Sequence, residues 1–203
     1  MSYTDYAEHL GNIEQKVSPH LKYVWQAKMG QMFTLTLAAT TSGVAAGNIV
    51  GATAAAAAQF ALTNPSTSNK NLVLTKFFVG IISGTPAPGP IFHGFMTTNP
   101  TLASIGGTIR NNALGVASPV SVATPHSLAG GSALTGGSAP NIFRPAAFST
   151  TATAAATPGL VNALEILDGD IIIPPGVTWV PLWSVAGTSL LNAYGVSWYE
   201  IGL

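Results

Sequence analysis

The residues of this chain that could do chemistry are few and far apart. Four histidines, His9, His20, His93 and His126, form no pair at metal-ligand spacing, and only His9 has a carboxylate nearby, Glu8. Their expected role is structural, as hydrogen-bonded or solvent-facing imidazoles, with neither zinc nor non-haem iron. Asp168 and Asp170 flank Gly169; they could pair as acid and base, or offer oxygens to a calcium ion together with Glu165. Two aspartates around a glycine are also the ordinary composition of a tight turn between strands, and that is the reading adopted. Serine is plentiful, yet no Gly-x-Ser-x-Gly elbow is present. Glycine is plentiful too, without a phosphate-binding loop or a dinucleotide fingerprint. The absence of cysteine excludes disulfides, thiolate metal sites and a Cys nucleophile. No catalytic, cofactor-binding or metal-binding residue is assigned, no cofactor is required, and replacing His93, His126 or Asp168 is expected to cost little.

The elements that would position any site read as strands. In Phe33-Thr34-Leu35-Thr36-Leu37 apolar and threonine side chains alternate, as a strand with one buried face requires. Further candidates are Gln59–Thr63, Leu72–Ser83, Ile91–Thr97, Asn162–Leu167, Ile171–Ile173, Val177–Val185 and Leu190–Ile201, which makes about eight strands in all. Turn formers separate them: the polar loop Asn64–Asn69, the stiff connector Thr85–Pro90, Asp168-Gly169 as a tight hairpin, and Pro174-Pro175-Gly176 as a type II turn. Ala129–Pro140, with two Gly-Gly pairs, reads as a long excursion between strands. Trp179 and Trp183 lie four apart in one strand and so share a face, and alternation with valine makes that face the core.

The start of the chain differs. Tyr6, Leu10, Ile13 and Val17 recur at helical steps, Ser2 and Asp5 resemble a shortened capping box, and Pro19 ends the pattern. A helix with a single apolar stripe either packs on its own domain or serves as an arm that docks on a neighbouring subunit; these four residues are the candidate interaction residues. The division expected is an arm over 1–30 and a β-sandwich body over 31–203.

Charge sharpens the contrast. Six of the fourteen Asp, Glu, Lys and Arg residues lie in the first 28 positions, which leaves eight for the other 175 residues. A soluble domain ordinarily devotes about a quarter of its residues to charge, so much of the surface of this body is expected to be covered by copies of itself or by a partner. With zero formal net charge and no basic run, direct nucleic-acid binding has little to act through. The start lacks the pattern of a secretory signal. The apolar window Leu37–Leu62 is interrupted by glycine, serine, threonine and asparagine, so a loop and a strand are expected there instead of a membrane span.

Two stretches, Asn64-Pro65-Ser66-Thr67-Ser68-Asn69-Lys70-Asn71-Leu72-Val73-Leu74 and Asp168-Gly169-Asp170-Ile171-Ile172-Ile173-Pro174-Pro175-Gly176, resemble small β-rich virion proteins of tailed bacteriophages. The closing Gly195-Val196-Ser197-Trp198-Tyr199-Glu200 is similar to the final strand of such proteins. The resemblance implies an all-β, jelly-roll-like antiparallel β-sandwich that coats the capsid or forms part of the tail, as a symmetric oligomer and often a trimer. This chain departs from the pattern in its charged N-terminal extension, here taken as a short helical arm.

The expectation is a non-enzymatic head decoration or cement protein. It would be a homotrimer in contact with the major capsid protein or other virion proteins, located in the virion after assembly in the host cytoplasm. The alternatives are a tail, neck or fibre component and, from another class, a carbohydrate-binding β module. An ice-binding module would need a regular Thr-x-Thr ladder, which is absent.

Overall fold

Alternating apolar and polar residues, punctuated by Pro, Gly and Asn, make the described part of the chain mostly antiparallel strands. The computed structural model describes residues 27, 30–37, 44–45, 60–85, 87–100, 108–113, 119–127, 137–138, 140–150, 162–184 and 188–203. Among them lie eleven strands: β1 (Met32–Leu37), β2 (Val44–Ala45), β3 (Phe60–Thr63), β4 (Lys70–Thr85), β5 (Gly89–Met96), β6 (Thr108–Asn111), β7 (Thr124–Ser127), β8 (Asn141–Thr150), β9 (Asn162–Ile173), β10 (Thr178–Trp183) and β11 (Thr188–Gly202). Tyr6, Leu10, Ile13 and Val17, and with them the expected helical arm, lie outside the described residues. The same holds for His9, His20 and most of Ala129–Pro140. No helix among the described residues is long and apolar enough to cross a membrane.

Two sheets result. The first has the order β6-β1-β11-β4-β9, with β2 also pairing β11, and the second has the order β7-β3-β10-β5-β8. Side chains of both meet in one core. Phe33, Leu35, Phe77, Tyr194, Val196 and Trp198 come from the first sheet, and Phe60, Leu62, Ile91, Trp179 and Trp183 from the second. Aromatic pairs join the two: Phe60 stacks on Tyr194 at 5.1 Å between ring centres, and Phe77 meets Trp179 edge-on at 5.3 Å. Such offset and edge-on pairs exploit the ring quadrupole in addition to burial. Trp183 Nε1 donates to the Tyr194 hydroxyl at 3.1 Å, so the polar tip of a buried indole is satisfied across the core.

Asn64 fixes the crossing between the sheets. Its side-chain amide donates to the Lys70 and Ile173 carbonyls, while its backbone carbonyl accepts from Gly176 N–H. That links the β3–β4 loop to the Pro174–Gly176 turn. The turn has the expected form, since Val177 N–H returns to the Pro174 carbonyl and Gly176 takes φ +83°.

The Asp168-Gly169 hairpin is not what forms. Both flanks pair with the same strand, Leu74 with Ile171 and Lys76 with Ile166, so two steps on β4 answer five on β9. The extra residues make a bulge in a single strand, with Asp168 at φ +46° and Gly169 at φ +92°. A Cβ on Gly169 would also lie 3.3 Å from Val73 Cγ1. Gly169→Ala is therefore expected to destabilise the protein by about 1–3 kcal/mol, as read by chemical unfolding. A loss under about 0.5 kcal/mol, the range of neutral surface changes, would show that the bulge yields easily.

Four strands, β2, β6, β7 and β8, have no counterpart among the expected ones. β2 has two residues, and β6 and β7 have four each, too short for a period to show. β8 contains Pro145 and presents little buried surface, as an edge strand can.

Candidate functional site

Two of the eight charged residues of the body, Arg144 and Glu165, meet where the free edges of the two sheets lie side by side. In β9 the pattern is inverted: Leu164 and Ile166 face outward, 59% and 68% exposed, while Glu165 between them points into the core at 3%. Glu165 Oε2 accepts from His93 Nε2 on β5 at 2.8 Å, and Oε1 lies 3.2 Å from Arg144 Nη1 on β8. The indole N–H of Trp179, on β10, donates to His93 Nδ1 at 3.2 Å. Four strands from both sheets are thereby joined by one polar chain.

This connectivity fixes the chemistry of His93. Trp179 can only donate, so Nδ1 must be the bare, accepting nitrogen, and the ring proton sits on Nε2, directed at Glu165. A second proton on Nδ1 would set two donors against each other. Burial pushes the His93 pKa below the ordinary histidine value; the hydrogen bond and charge of Glu165 oppose this, and Arg144 adds to it. A carboxylate-oriented imidazole usually activates a nucleophile, but here the third position holds an indole N–H, which has no proton to give up in that way. The cluster is suited to locking the sheets together.

An acid sensitivity follows. Below the ordinary value of about 6.5 the unfolded chain binds a proton on His93 that the folded chain refuses. Stability is thus fully present above that pH and is lost as pH falls toward the lower folded value. Unfolding midpoints measured between about pH 5 and 7 should fall with acid, and the slope should be shallower in His93→Gln. Equal slopes would show that His93 does not titrate out of register with the unfolded chain.

Next to this cluster a cavity of about 340 Å³ opens between the sheets, lined by Gly94, Phe95, Phe143, Ile171, Ile173 and Trp179 among others. The lining is carbon-rich, made of aromatic and aliphatic side chains, and the one polar atom of the Trp179 side chain is turned to His93. β8 and β9 close their sheets, each with a ladder partner on one side only among the described residues. Ile142 and Phe143 on β8 and Leu164, Ile166 and Ile172 on β9 are exposed. Exposed apolar rows on unpaired edges are surfaces that a chain normally blunts with charge unless a partner covers them.

The remaining candidates are dispersed. Asp168 and Asp170 are exposed on the bulge while Glu165 faces inward, so the calcium set considered from sequence is not assembled. Among the described residues no group of three or more His, Asp or Glu is placed to hold a metal ion. His126 is buried on β7. His93 is hydrogen-bonded as expected, but the expectation that replacing it costs little does not fit a fully buried link between sheets. Trp179, Trp183 and Trp198 are core residues as expected, although β10 is buried along its whole length and does not alternate. Sequence reasoning missed Arg144 and the inward turn of Glu165. The available signal was a lone acid within Leu164-Glu165-Ile166, in a body with eight charges.

A second buried carboxylate, Glu200, accepts from Lys70 Nζ, Ser121 Oγ and Val122 N–H at 2.9, 2.6 and 2.9 Å. It anchors the segment before β7 to the end of β11. No protein-family model matches this chain, and neither a curated protein nor a solved structure shows significant similarity to it.

Proposed function

We propose that this chain is a structural protein of a bacteriophage particle, a head decoration or cement protein, whose two sheets form a jelly-roll-like β-sandwich. The observation that carries the reading is the apolar rim of β8 and β9 in a body so poor in charge. Of its eight charged residues, Arg144, Glu165, Lys70 and Glu200 are engaged in internal ion pairs, which thins the polar cover further. A surface of this kind calls for copies of the chain and a shell to lie against. Apolar burial of about 25 cal/mol per Å² makes an interface of ordinary size sufficient, after the cost of association. The likeness to small virion proteins at Asn64–Leu74 and Asp168–Gly176 supports the same reading, with a homotrimer as the assembly and the major capsid protein as its partner.

The test is antibody labelling of the particles made by the source of this sequence, with light scattering on the purified chain. Label spaced regularly over the head and a trimer in solution are expected. Label confined to the tail, neck or fibres would move the protein to that part of the virion, and a stable monomer absent from particles would overturn the proposal. The carbohydrate-binding reading loses support from the burial of Trp179, Trp183 and Trp198, which leaves none of those three rings to stack on a sugar.

A further inference from the structure

The outer face of the first sheet carries an apolar band, and the start of the described chain sits at one end of it. Cross-strand partners share a face, so the register places Met32, Tyr199, Val73 and Ile172 in one row, with Lys76 beside Ile166 and Phe78 beside Leu164 further along. Ala27 packs on Met32, Val73 and Tyr199, and these three are buried. Beyond them the cover ends: Ile172, Ile166 and Leu164 are all more than half exposed. A cavity of about 160 Å³ opens there, bordered by Phe78, Leu164 and Gly195, where the glycine leaves the face without a side chain. From Val73 to Phe78 the band is about 17 Å long at the usual rise of a strand.

The chain that precedes Ala27 matches this band. Tyr6 to Val17, taken as a helix, covers about 17 Å, and its stripe of Tyr6, Leu10, Ile13 and Val17 is the apolar face such a band would receive. Nine residues, 18–26, then connect to Ala27, a reach of up to about 30 Å. We propose that residues 2–18 seat on the outer face of their own first sheet, with the stripe over Phe78, Leu164 and Ile166. The seat takes up Leu164 and Ile166 of the apolar rim and leaves Ile142 and Phe143 on β8 and the cavity between the sheets for contacts with other molecules, so with the arm seated the virion reading rests on the β8 side.

The chain has no cysteine, so introduced pairs report proximity cleanly. Ile166→Cys is combined with Leu10→Cys or Ile13→Cys on the stripe, and with Glu8→Cys or Gln15→Cys on the opposite side. The stripe pairs should close a disulfide within one chain at least about tenfold faster than the others, because seating raises the effective concentration. Equal rates at all positions, or disulfides only between chains, would overturn the seat. Should a cysteine variant fail to fold, Leu10→Asp in the otherwise unaltered chain gives a second reading. Apolar-dye fluorescence is expected to rise several-fold with the β-rich circular dichroism unchanged, and an unchanged dye signal also overturns the proposal. Neither measurement depends on particles, so failure here and failure of the virion reading are told apart.

Discussion

Replacing Arg144 by methionine should destabilise the protein by about 3 kcal/mol, the lower end of what is lost when one partner of a buried ion pair is removed. Glu165 is almost fully buried, and its two anchors are the Arg144 guanidinium and the neutral His93 ring. Without the guanidinium, a carboxylate would stand in the core with only a neutral donor. The estimate sits at the lower end because the Arg144 side chain is 31% exposed, which lets water weaken the pair. For a chain of this size the loss corresponds to a fall of about 6–12 °C in unfolding midpoint. Adding Glu165→Gln to Arg144→Met should restore more than half of it, since an amide oxygen still accepts from His93 and carries no charge. A double variant no more stable than the single one would show that Arg144 acts through packing and not through charge.

Trp179→Ala should cost about 3–5 kcal/mol, as expected for deleting a large buried ring. That ring touches Phe60, Phe77 and His93, with centres 6.0, 5.3 and 5.7 Å away, so its loss opens the core on both sides. Trp179→Phe separates packing from hydrogen bonding. It keeps an aromatic ring but removes the N–H that holds His93 Nδ1 bare, and should cost about 1–3 kcal/mol for the unpaired acceptor. In Trp179→Phe the folded chain no longer opposes a second proton on His93 so strongly, so the acid loss of stability should be smaller than in the parent. If Trp179→Phe retains the parent's pH profile, the indole does not set the state of His93.

The strands that form the core were legible from sequence for a physical reason. In β1 apolar and threonine side chains alternate because one face meets the core, while β4, β10 and β11 are long runs rich in apolar residues, β10 being buried along its whole length. Pro174-Pro175-Gly176 was legible because proline and glycine each restrict the backbone locally. Asp168-Gly169 has the same turn composition, yet the pairing of both flanks with β4 makes it a bulge. Backbone chemistry there permits a positive φ but does not say which strand receives the chain afterwards. The candidate site was less legible still, since Arg144, Glu165, His93 and Trp179 stand on four strands up to 86 residues apart.

By itself, the sequence determined the β-rich character of the body, its tryptophan core and its lack of charge, because composition and period act locally and need no partner. The arrangement of the sheets decided the rest. It placed β8 and β9 together at the free edges, turned Glu165 inward and Leu164 and Ile166 outward, and gave His93 a carboxylate on one nitrogen and an indole on the other. Which face of a strand is buried depends on the register with its neighbour, and a bulge of a few residues resets that register, so only the tertiary structure could make this choice.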